Sequence, residues 1–199
     1  MDIAEWRKFL EKYSMELLQD EDIAFEVPEE VNSSKWMGYL PTSESQILAA
    51  EERIGISLLP SLRNFYSVTN GWRTTGTCIY DILPVEEIDW LQVCDDHLFE
   101  IALNAENNNG EGWTNPEGLA DYRYEQGTRV KRSLVISSWG DAAIWLLDPG
   151  EKDARGEWSA GRWASWNPAM DWLTASFAEL MLQELESFLE IRDSREVFS

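Results

Sequence analysis

Positive charge is what this sequence has least of. Its 199 residues hold 16 Lys and Arg against 37 Asp and Glu, a formal net charge of −21. Nucleic acid and anionic membranes are excluded as partners, because both are gripped by basic side chains meeting phosphate. The partner to expect is cationic. The shortage is also uneven. From Thr74 to Tyr122 there is no Lys or Arg, yet the span carries 11 acids: Asp81, Glu86, Glu87, Asp89, Asp95, Asp96, Glu100, Glu106, Glu111, Glu117 and Asp121. Two readings stand side by side, a solvated solubilising face and a docking surface for a basic protein.

Histidine occurs once, at His97. A triad hydrolase needs a general base beside an activated nucleophile, and no GxSxG turn accompanies this histidine. Asp95-Asp96-His97 are adjacent on a predicted helix and point apart, so they do not converge on one metal ion. The Asn-rich stretch from Asn104 to Gly112 lacks the alternating acids and closing glutamate of a calcium loop. Phosphate-cradling glycine motifs are missing as well; Gly110-Glu111-Gly112 lacks the third glycine. Carboxylates abound, but nothing sets a pair in apolar surroundings that would shift a pKa. The expectation is a protein that is not an enzyme, with no metal and no cofactor. A carboxylate-pair hydrolase is the weaker alternative.

Cysteine occurs twice, at Cys78 and Cys94, among apolar neighbours and without CxxC spacing. Reduced, buried thiols are expected rather than a disulfide. The start, MDIAEWRKFLEKY, lacks the basic and apolar regions of a signal peptide. No apolar run approaches the roughly 20 residues that span a bilayer. A soluble, cytoplasmic, monomeric protein is expected.

What the chain does have is aromatic bulk, with 11 tryptophans, and a helical beginning. Ile3, Trp6, Phe9, Leu10, Tyr13, Leu17 and Leu18 recur at helical spacing. Ile23–Val27 reads as irregular or a brief edge strand. From Leu40 to Trp72 the pattern is two short helices joined by a corner. Thr42 or Ser43 caps the first, with Ser43 and Gln46 at capping-box spacing. Ile47, Ala50 and Ile54 form its buried face, and Gly55 ends it in a left-handed turn. Pro60 opens the second; Leu62, Phe65 and Val68 or Thr69 are buried, and Asn70-Gly71 stops it.

Beyond this pair, alternation predicts a strand over Gly76–Leu83. Val85–Ile88 opens a helical region running to about Leu103, with a break near Asp95. Asn104–Gly118 is loop by composition. Strands are predicted at Leu134–Ser137 and Ala143–Asp148, with turns at Gly140-Asp141 and Pro149-Gly150. Further strand material surrounds Gly161. Asn167-Pro168 starts a long last helix with Met170, Leu173, Phe177, Leu180, Met181, Phe188 and Ile191 along its buried edge and Glu184 as a polar exception. Clustered strands flanked by helices indicate an α+β fold with a mainly antiparallel sheet, in a single domain.

Glu51-Glu52, Ile54-Gly55, Leu59-Pro60, Leu62, Phe65 and Asn70-Gly71 together resemble the opening motif of the SUKH superfamily, the Smi/Knr-type domains. Later blocks are similar to the same family: Ile82–Ile88, Leu134–Ser137 with Gly140-Asp141, Leu146–Pro149, and Ser176-Phe177 with Glu179-Leu180. The resemblance covers about Trp36 to Leu185. It implies one domain with a core over residues 36–185, the 2–19 helix packed on it, and an insert over 104–131. It also implies binding rather than catalysis. Bacterial members are largely immunity proteins that neutralise toxins, often basic nucleases or deaminases, and fungal relatives are regulatory scaffolds. The low-complexity tails of such scaffolds are missing here, which favours the immunity role. The contact residues expected on a cognate cationic toxin are Asp81, Glu86, Glu87, Asp89, Asp95 and Asp96, with Trp113 as an aromatic anchor.

Overall fold

The computed structural model describes residues 1–107, 127–165 and 167–196. Helix α1 (Ile3–Leu17) begins at Asp2 and Glu5, which exchange side-chain and backbone hydrogen bonds in a capping box. It buries Trp6, Leu10, Tyr13 and Leu17, while Ile3 is exposed. The Trp6 ring lies 5.4 Å from that of Phe65 and 5.6 Å from that of Phe177. Residues 23–27 are not a strand. Asp20 accepts hydrogen bonds from the Asp22 and Ile23 amides and starts a short helix, α2 (Glu21–Glu26), and α3 (Glu29–Ser34) follows Pro28. A capping aspartate decided a segment that periodicity left open.

The helix pair has the predicted form. Helix α4 (Glu44–Ile54) starts at a Ser43–Gln46 capping box and ends at Gly55, whose φ is 76°. Ile47, Ala50 and Ile54 are buried. Helix α5 (Pro60–Tyr66) has no cap from Leu59. Its start is instead capped from afar, by the buried carboxylate of Glu157, which accepts from the Ser61 amide (2.9 Å) and hydroxyl (2.6 Å). Gly71, at φ 100°, closes the motif.

Strands β1 (Trp72–Arg73) and β2 (Asp81–Ile82) form a two-stranded antiparallel ladder. A larger antiparallel sheet runs in the order β3-β4-β5-β6-β7, from β3 (Asp89–Trp90), β4 (Leu134–Val135), β5 (Ala143–Lys152), β6 (Trp158–Ala164) and β7 (Asn167–Thr174). Helices α6 (Leu91–Cys94) and α7 (Asp96–Asn107) and a helical segment, α8 (127–131), lie between β3 and β4. Helix α9 (Phe177–Glu196) follows β7. The fold is α+β, as expected.

Strand β5 is apolar at every position from Ala143 to Leu147 because the sheet is covered on both faces. Ala143, Trp145 and Leu147 join the main core with Trp158, Ala160 and residues of α1, α4, α5 and α9. Ile144 and Leu146 point the other way, to Leu91, Leu98, Ala102, Val130 and Trp163.

Several predicted boundaries are corrected. Residues 76–80 are not strand, and the alternation there is broken: Ile79 is buried and Tyr80 exposed. Residues 85–88 turn back, with the Glu87 amide on Pro84 O (2.9 Å), and the chain enters the sheet as β3. Strand β5 runs through Pro149-Gly150 with a register shift. The buried Asp148 holds the Gly150 amide (2.9 Å) and the Arg132 guanidinium (2.5 and 2.8 Å), and a Cβ on Gly150 would meet Arg132 at 2.0 Å. Asn167-Pro168 opens an edge strand, where a residue without an amide proton is tolerated; α9 starts ten residues later. Leu173 and Ile191 are exposed. Both cysteines are free, but Cys94 is exposed and Cys78 only half-buried.

Candidate binding surface

The acids singled out in the sequence separate into different surroundings. Asp89 is paired with Arg53 at 3.5 Å and accepts from the Trp90 amide. Asp95 caps α7 through the Leu98 amide (2.8 Å) and accepts from the Trp139 indole (3.0 Å). It lines a hollow of about 560 Å³ with His97, Leu98, Ile101, Trp139 and Trp163. Asp96 is exposed in the first turn of α7. Glu86 is exposed, but amide donors hold both its oxygens, Gln46 at 2.6 Å and Asn70 at 2.9 Å. Partial burial pushes its pKa up, and the hydrogen bonds from Asn70 and Gln46 outweigh that and hold it below the usual carboxylate range. Trp113 lies outside the described residues, as does most of the 104–131 segment.

Two of the acids do come together. Asp81, on β2, and Glu87, in the turn after Pro84, line one groove of about 700 Å³ with Tyr39, Leu40, Asn70, Ile82, Leu83, Pro84 and Ser138. Neither takes part in an ion pair among the described residues. Asp81 is half-buried, and burial raises its pKa against the Ser138 hydroxyl and the Arg73 charge, which lower it.

Tyr39 and Leu40 belong to this groove and escaped the sequence reading. Leu40 is 84 % exposed. Its backbone is nonetheless fixed: Leu40 O accepts from the Asn70 amide (3.0 Å), the Tyr39 amide donates to the Thr69 hydroxyl (2.8 Å), and the Thr42 amide donates to Tyr66 O (2.9 Å). The Arg73 guanidinium covers the Tyr39 ring at 4.0 Å. A signal existed. The apolar periodicity of α4 is complete without Leu40, which left a large apolar side chain before Pro41 with no core position to fill.

The model of the SMI1 / KNR4 family (SUKH-1) matches residues 41–183, well over half of the chain. The chain belongs to this family. No curated protein matches it. The matched SUKH-1 region begins just before α4 and ends inside α9, within a few residues of the extent read from the motifs. It contains every groove residue except Tyr39 and Leu40, which directly precede it.

The structure also explains one SUKH-1 block, Gly140-Asp141. A Cβ on Gly140 would meet Cys78 O at 1.6 Å, and the Asp141 amide donates to that oxygen at 2.8 Å. The turn needs glycine because the backbone of residue 78 passes directly over it. His97, exposed at the start of α7, lines the same hollow as Asp95 and Ser165. Among the described residues no group of three or more His, Cys, Asp or Glu is placed to hold a metal ion. No helix among them is long and apolar enough to cross a membrane.

Proposed function

We propose that this SUKH-1 protein is a non-catalytic binding domain that neutralises a cognate, positively charged toxin in the cytoplasm by covering it. The observation that carries the reading is the net charge of −21 on a chain of this family. A basic, nucleic-acid-degrading or nucleic-acid-editing toxin is steered onto such a surface over several ångströms of solution and held there by complementary charge. The 1–199 chain acts as one domain and binds one to one.

Co-expression with the toxin encoded beside its gene tests this. Growth is expected to be restored, and the purified pair should associate at a rate that falls steeply between 50 and 500 mM salt, since the Debye length shrinks several-fold over that range. Reversing Asp81, Glu87 and Asp96 to lysine is expected to slow association about tenfold or more at low salt. A toxin that still kills, or an association rate indifferent to salt, overturns the reading. Recovery of several unrelated partners and no toxin points instead to the scaffold role of the fungal relatives.

A further inference from the structure

The groove between Tyr39-Leu40 and the β2–Pro84 turn has a specific chemistry. Its apolar lining comes from Leu40, Ile82, Leu83 and Pro84. Several of its polar atoms already have partners, whereas neither carboxylate is in an ion pair among the described residues. Asn70 spends its side chain on the Val85 amide (2.8 Å) and Glu86 (2.9 Å). The Ser138 hydroxyl accepts from the Asp81 amide (3.1 Å). Arg73, whose charge bears on Asp81, points at Met37 O (3.0 Å), Gly38 O (2.6 Å) and the Tyr39 ring. Asp81, with the Ser138 hydroxyl beside it, and Glu87 keep acceptor capacity to spare, and an ionised carboxylate only accepts. The occupant must therefore donate at one end and be apolar along its length.

We infer that this groove seats one lysine or arginine side chain of the protein partner, its methylenes on Leu40, Leu83 and Pro84 and its charged head between Asp81 and Glu87. Long basic side chains have this division, an apolar stem and a hydrated head. The net charge of the chain brings such a residue in, and the groove gives it a place where stem and head are both satisfied. Half-burial of Asp81 makes a cation there worth more than one on open surface, because the carboxylate is already partly stripped of water. The inference rests on the proposed protein-binding role, and it goes further by naming the anchor.

The test needs no toxin. The intact 15N-labelled protein is titrated with acetyl-Gly-Arg-Gly-amide and acetyl-Gly-Lys-Gly-amide, with the citrulline and norleucine peptides as neutral controls. Amide shifts are expected to concentrate at residues 39–40, 70, 81–87 and 138 for at least one basic peptide. Affinity should fall about tenfold for the neutral peptides and in the double variant Asp81→Asn/Glu87→Gln, because a charge-assisted contact is lost. Leu40→Ser should weaken binding as well, and unchanged spectra elsewhere establish that both variants are folded. Shifts scattered over the whole acidic surface, equal binding of citrulline, or no shift at tens of millimolar overturn the inference. A double variant that binds the toxin with unaltered Kd removes the groove and leaves the proposed function standing. A groove that takes the arginine peptide in a protein that protects against no toxin does the reverse.

Discussion

Glu184 is one of the acids that turn inward, and it makes stability depend on pH. Its carboxyl is 1 % exposed, on the buried face of α9. One oxygen accepts from the hydroxyls of Thr75 (2.7 Å) and Thr77; the other has no partner among the described residues. The groups around it are Tyr13 of α1, whose hydroxyl donates to Thr75 O (2.9 Å), Cys78, and Arg162 of β6. Burial pushes the Glu184 pKa from 4.5 up to about 7, against the Thr75 hydrogen bond and the Arg162 charge. In the unfolded chain the group titrates near the ordinary glutamate value. As pH rises from about 4.5, the unfolded chain gives up this proton while the folded one keeps it, so stability falls by about 1.4 kcal/mol per pH unit. The loss is complete once pH passes about 7, where the folded carboxyl ionises too. Across that interval it amounts to roughly 3 kcal/mol. Glu184→Gln keeps the shape and an acceptor for Thr75 but has no proton to lose. The variant and the parent should differ little at pH 4.5, and the variant should be the more stable by up to about 3 kcal/mol at pH 8. Urea unfolding of both proteins at pH 5, 6, 7 and 8 measures this, and every other carboxylate cancels in the difference. A difference that does not change with pH would show that Glu184 is ionised throughout and held by Arg162, and the reasoning would fail.

Arg132→Ala leaves the buried Asp148 with Arg129 at 3.8 Å as its nearest described cation; a cost of about 2 kcal/mol is expected, less than for a fully orphaned buried charge because Arg129 still compensates part of it, read as a lower urea midpoint with an unchanged m-value. Gly55→Ala meets open space, with nothing within 4 Å of the new Cβ, so its cost is the left-handed φ of 76° alone. That is about 1 kcal/mol, and Gly55→Asn should recover part of it in the same melt.

The helix pair was legible because every signal in it is local. Ser43 reaches Gln46 three residues away, Gly55 relieves its own backbone, and Ile47, Ala50 and Ile54 share a face by spacing alone. The cap on α5 was not legible. It arrives from Glu157, 96 residues further along, and no window of sequence joins Glu157 to Ser61. The same holds for Asn167-Pro168, which spells a helix start and became an edge strand. Pairing of Ala164 with Asn167 across the β6–β7 ladder outweighed the local preference.

For the binding surface the division falls in the same place. Composition alone determined the sign of the protein's own charge, since 37 acids against 16 bases cannot be hidden by any folding, and local motifs determined the family. Which acids are free to act was decided by the tertiary structure. It paired Asp89 with Arg53, bound Glu86 to two amides, spent Asp95 on a helix cap, and left Asp81 and Glu87 beside an exposed leucine. A charge count adds residue by residue. A site needs residues distant in the chain brought within a few ångströms, and that distance exists only after the chain has closed on itself.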